Sequence, residues 1–141
     1  MSEDPYDLER FVLAQAPVID RVVAELSRGR KQSHWMWFVF PQIAGLGSSA
    51  MSQRFAIGSL REARAYLAHP ILGRRLRDLT GLATSQPGSA NDIFGSPDDA
   101  KFRSSMTLFA AADGGVVFQR ALDRFFDGSG DPVTRRLIAE S

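Results

Sequence analysis

The chain has 141 residues, enough for one domain that buries roughly two thirds of its unfolded surface. Its 17 basic and 16 acidic residues are mixed along the sequence, and a net charge of +1 offers little attraction for nucleic-acid phosphates or an anionic membrane. The absence of cysteine excludes disulfides, thiol catalysis and iron–sulfur ligation and fits a reducing compartment.

The N-terminal Met1-Ser2-Glu3-Asp4-Pro5 is acidic and has no apolar stretch, so no secretory signal is expected. Asp4-Pro5 opens the first helix, expected over 5–15 with Leu8, Phe11 and Val12 inward. After Pro17, Val18, Val22 and Leu26 recur at helical spacing, and Gly29 supplies a C-terminal stop. The run His34-Trp35-Met36-Trp37-Phe38-Val39-Phe40 is apolar on both faces, and periodicity cannot separate a short buried helix from a strand. Ser33 is a possible cap, and Pro41 forces Phe40 out of the helical region, so the run is read as a short central helix. At six residues, Trp35 to Phe40 is far too short to span a bilayer, and a cytoplasmic location is expected.

Gly45-Leu46-Gly47-Ser48-Ser49 follows as a loop, then a turn or two over Ala50 to Phe55. Ser59-Leu60-Arg61-Glu62 is a capping box that starts a helix with Leu60, Ala63 and Leu67 inward. The next helix is expected from Pro70, with Leu72, Leu76, Leu79 and Ala83 as its apolar stripe. Gln86 to Ser89 is a turn by composition. Ser96-Pro97-Asp98-Asp99 is close to a capping box and starts a helix over about 97–112. Gly114-Gly115 breaks the chain, Phe118, Leu122, Phe125 and Phe126 mark a further helix, and Pro132 to Ile138 a last one. Strand-like alternation is nearly absent. The expectation is an all-α single domain over 1–141, with about seven to nine helices.

Candidate chemistry gathers at two places. Trp35 and Trp37 are either core or a wall on which a planar ligand stacks. His34 and Gln42 bracket them, the first as a candidate general acid or base, the second as an orienting amide. On the helix from Pro97, Phe102, Met106 and Phe109 define the buried face, and Asp98, Lys101 and Ser105 fall along its half-buried flank. Arg103 and Ser104 point more nearly outward. Only Lys31 and Lys101 of the 17 basic residues are lysines, which suits a site needing a compact charge. In this reading His34, Asp98 and Lys101 are the candidate catalytic residues, and Trp35, Trp37, Gln42 and Ser105 the ligand contacts. The glycine loop at 45–49 has the makings of a backbone nest for an anion but lacks the ending of a P-loop. His34 and His69 stand without carboxylates at ligand spacing, so no metal is expected, and no cofactor motif is present.

The segment Gly29-Arg30-Lys31-Gln32-Ser33-His34-Trp35-Met36-Trp37-Phe38-Val39-Phe40-Pro41-Gln42 resembles a family of small, mainly bacterial proteins. So do Gly45-Leu46-Gly47-Ser48, Tyr66-Leu67-Ala68-His69-Pro70-Ile71-Leu72-Gly73, Asn91-Asp92-Ile93-Phe94-Gly95 and Lys101 through Ser105 to Phe109. The family is a domain of unknown function, number eighteen-ten, sometimes mislabelled calpastatin. The resemblance implies a compact multihelical fold and no established activity, substrate or cofactor. Two functions follow as expectations. One is a binding protein or enzyme for a small anionic or nucleotide-like ligand, with a pocket between 34–42 and the helix starting at 97. The alternative is a non-catalytic protein-interaction module, which predicts a fully buried tryptophan segment with no cavity beside it and an apolar surface patch on the order of several hundred Å².

Overall fold

A computed structural model describes residues 3–113 and 115–141; the opening Met1-Ser2 and the glycine break at 114 lie outside the described residues. Among the described residues ten helices follow one another in chain order. α1 is Glu9–Gln15, α2 Ile19–Ser27, α3 Met36–Val39, α4 Ala50–Arg54 and α5 Leu60–Ala68. α6 is Leu72–Thr84, α7 Ala90–Phe94, α8 Asp98–Asp113, α9 Val116–Phe126 and α10 Pro132–Glu140. The fold is all-α as expected, with slightly more helices than the seven to nine read from sequence. Among the described residues the nearest thing to a strand is one parallel bridge, Ile43 to Ile57. None of these helices is long and apolar enough to cross a membrane.

Local chemistry explains most boundaries. The Ser59 hydroxyl accepts from the Glu62 N–H while the Glu62 carboxylate accepts from the Gly58 N–H, closing the start of α5. Asp131 accepts from the Thr134 N–H behind Pro132 at α10. α2 ends in a Schellman arrangement: Gly29 has φ +69°, its N–H donates to Leu26 O, and Arg30 N–H donates to Glu25 O.

Other starts depart from expectation. Asp4 does cap, accepting from Leu8 and Glu9 N–H, but regular helix begins only at Glu9 rather than at Pro5. His69 Nδ1 accepts from Ile71 and Leu72 N–H, so α6 starts two residues after Pro70. The Ser96 side chain makes no hydrogen bond among the described residues, so the capping-box variant read there is absent. The unexpected α7 is nucleated by a true capping box, Ser89 with Asp92.

α8 is the central helix and packs against α5, α7, α9 and α10, while α6 lies against α2, α5 and α9. Surrounded in this way, α8 buries every residue from Ser104 to Phe109. Ser104 therefore faces inward, contrary to the outward position read from a single stripe, and satisfies its hydroxyl on Ala100 O, one turn back. Thr107 does the same on Arg103 O. Phe40, Phe94 and Phe102 form the aromatic centre of the core, with Phe94 and Phe102 stacked at 4.4 Å and Phe40 edge-on to both. At the α5–α6 corner the backbones approach so closely that a Cβ on Gly73 would sit 2.0 Å from Leu67 O.

Candidate functional site

The site is built on Glu25, one helical turn past Val22 on the inward face of α2 and 2 % exposed. Its carboxylate accepts from Gln32 N–H at 2.7 Å, Ser33 N–H at 3.0 Å, the Ser33 hydroxyl, and Trp35 Nε1 at 3.0 Å. Burial alone would raise the pKa of this group. The Ser33, Gln32 and Trp35 donors outweigh that effect and hold it at about 2, well below the ordinary value of 4.5. Lys31 N–H donates to Ile93 O at 2.7 Å, so the loop before α3 is fixed to α2 on one side and to α7 on the other. Ser33 is thus occupied by Glu25 and does not cap α3, whose N-cap is Trp35.

Fixing that loop decides where the two lysines lie. Lys31 Nζ reaches Asp98 Oδ2 at 2.8 Å and donates to Ser33 O, with its side chain only 7 % exposed. It also sits 5.0 Å from the centroid of the Trp35 ring. Lys101 lies 3.7 Å from the other Asp98 oxygen, too far for a hydrogen bond, and 5.5 Å from the centroid of the Trp37 ring. Its ammonium makes no hydrogen bond among the described residues. Asp98 and Lys101, at i,i+3 on α8, therefore form a loose ion pair, and Lys31 is the tighter partner.

Trp37 and Trp35 part company here. Trp35 is wholly buried against Phe40, so it belongs to the core and has no face to offer a ligand. Trp37 is half-buried and forms one wall of a cleft of about 170 Å³. The rest of the lining comes from Gln42, the glycine loop at Gly45 and Gly47, and Ser52 and Phe55 on the α4 side. Among the described residues no α8 side chain lines this cleft, which lies between 37–47 and 52–56 rather than between 34–42 and the helix starting at 97. α8 reaches it only through Lys101 against Trp37. The two walls are joined by Ala44 N–H to Ile57 O and Ile57 N–H to Gln42 O, both 2.8 Å.

The remaining expected residues are divided. Gln42 lines the cleft, and its side-chain amide makes no hydrogen bond among the described residues. Asp98 has both oxygens facing ammoniums, so its evident work is to hold the two lysines. His34 projects into solvent with no hydrogen-bond partner among the described residues and does not line the cleft. Ser105 is fully buried rather than half-buried, and its hydroxyl has no partner among the described residues. No group of three or more potential metal ligands occurs among the described residues.

Sequence reasoning missed Glu25 and the α4 wall. The signal for Glu25 was its position three residues after Val22 on an apolar stripe, where a carboxylate must find donors. It also missed Gln15, buried in α1, whose amide donates to Phe38 O at 2.7 Å and to the Tyr66 hydroxyl. That pair of bonds seats α3 against α1 and α5. Burial pushes the Tyr66 phenol up, so it stays protonated.

The chain belongs to the family described as a protein of unknown function, DUF1810, whose model matches residues 5–138. Its structure is similar to that of the conserved hypothetical protein Rv1873 from Mycobacterium tuberculosis, with a TM-score of 0.94 and 54% identity. That match covers 96% of this chain and 99% of the other. No match is found among curated proteins.

Proposed function

We propose that the protein binds a small, planar, anionic molecule in the cleft walled by Trp37. The observation that carries this reading is the position of Lys101. A partly exposed ammonium without a hydrogen bond lies over the same tryptophan ring that lines the cleft. A tryptophan supplies a stacking face, a cation beside it supplies charge, and a free amide orients; ligand sites combine apolar walls with a few such polar groups. In this reading Trp37 stacks, Lys101 contacts the anion and Gln42 orients, while Asp98 and Lys31 position Lys101. An interaction module predicts a fully buried tryptophan segment with no cavity beside it; the half-buried Trp37 at the cleft supports the binding reading instead.

The test is a thermal-shift screen of nucleotides, phosphorylated metabolites and small carboxylates, repeated on Lys101→Ala. A ligand of the folded state raises the melting temperature as its concentration passes Kd. The expected result is a saturable shift that the substitution abolishes. A library that leaves the wild-type melting temperature and the Trp37 fluorescence unmoved refutes the proposal.

A further inference from the structure

We infer that the ligand class is a single-ring aromatic or heteroaromatic monoanion, of which a ring monocarboxylate is the simplest form, rather than a nucleotide. This deepens the binding reading above and rests on it. Three observations carry it. The first is size: about 170 Å³ compares with a cavity of about 150 Å³ that holds one benzene. One ring fills that volume, and a ribose attached to it would extend beyond the walls. The second is charge. Every residue lining the cleft is uncharged, and the ion-paired group that reaches its Trp37 wall, Lys31, Asp98 and Lys101, sums to +1. Of these, Lys31 is spent on Asp98 and Ser33 O, which leaves Lys101 to meet an anion. One ammonium matches one negative charge; a di- or triphosphate would bring charges with no partner, and an unpaired charge at a partly desolvated site is costly. The third is the uncommitted Gln42 amide, which offers both a donor and an acceptor to a polar atom on the ring edge.

The experiment titrates nicotinate, nicotinamide, benzoate and AMP into the whole protein, following tryptophan fluorescence and melting temperature. Trp37→Phe assigns the fluorescence change, because Trp35 is buried in the core. Nicotinate is expected to quench Trp37 saturably and to bind at least about tenfold more tightly than its neutral amide and than AMP, a difference of about 1.4 kcal/mol. Lys101→Met is expected to reduce nicotinate to the nicotinamide level and to leave nicotinamide unchanged. Lys101→Gln serves as the second variant, and each is compared with wild type for its unliganded melting temperature. Equal binding of nicotinate and nicotinamide overturns the inference while leaving the cleft as a binding site. Tighter binding of AMP with Trp37 quenching overturns the class alone. No response of Trp37 to any of the four overturns the class, and the reading beneath it falls with it when the wider screen also leaves Trp37 and the melting temperature unmoved.

Discussion

Replacing Glu25 with glutamine isolates the carboxylate charge while keeping the shape of the side chain. Its pKa lies at about 2 in the folded protein against 4.5 for the free group. Because the folded value is the lower one, the stabilisation is complete well above pH 4.5 and is lost as pH falls towards 2. A difference of about 2.5 pKa units corresponds to about 3 kcal/mol at pH 7, and the same linkage leaves about 1 kcal/mol at pH 3. In a domain of this length each kcal/mol moves the melting temperature by about 3–4 °C, so Glu25→Gln should melt about 10 °C below wild type at neutral pH. The assay is circular dichroism melting of both proteins at pH 7 and pH 3. The gap between them should shrink by more than half at the lower pH. A gap below about 3 °C at pH 7, or one equally large at both values, would refute the account of Glu25 as a charged anchor of the loop.

Gly73→Ala places a methyl 2.0 Å from a backbone oxygen that cannot move away, and urea denaturation should show a loss of about 3 kcal/mol or more. Ser105→Ala removes a buried hydroxyl that has no partner among the described residues, so stability should be unchanged or raised by up to about 1 kcal/mol; a loss of more than about 1 kcal/mol would mean the hydroxyl is satisfied in solution. Trp35→Phe takes one donor from Glu25 and opens a small void, and should cost about 1–3 kcal/mol. Combined with Glu25→Gln it should fall short of the sum by at least about 0.5 kcal/mol in a double-mutant cycle; strict additivity would show that the indole and the carboxylate do not act together.

The parts of the fold legible in the sequence were those decided within one turn of chain. Ser59 with Glu62, Asp131 before Pro132, and Gly29 after α2 carry their partners with them; the last two form as read, and at the first Glu62 takes the Gly58 N–H in place of that of Ser59. Ser89 with Asp92 carries the same kind of signal for α7, although the composition of 86–89 reads as a turn. Ser33 was unreadable by this route, because its partner is Glu25 on the preceding helix and the competing contact wins. The candidate site divided along the same line. The pairing of Asp98 with Lys101 is local, whereas Lys31 reaching Asp98 depends on α7 holding the loop. α8 misled a single-stripe reading because packing on several sides buries small polar residues that a surface helix would expose.

The two backbone bonds between Gln42, Ala44 and Ile57 have a consequence for how anything enters the cleft. The walls are already joined before a guest arrives, so binding need not draw separate segments together. What must be ordered on arrival is confined to a few side chains, Lys101 and Gln42 among them, and such a preorganised site loses little entropy when filled. The backbone of the occupied protein should therefore superimpose closely on the empty one. On the proposed binding reading, this hydrogen-bonded floor sets the breadth of a guest that stacks on Trp37.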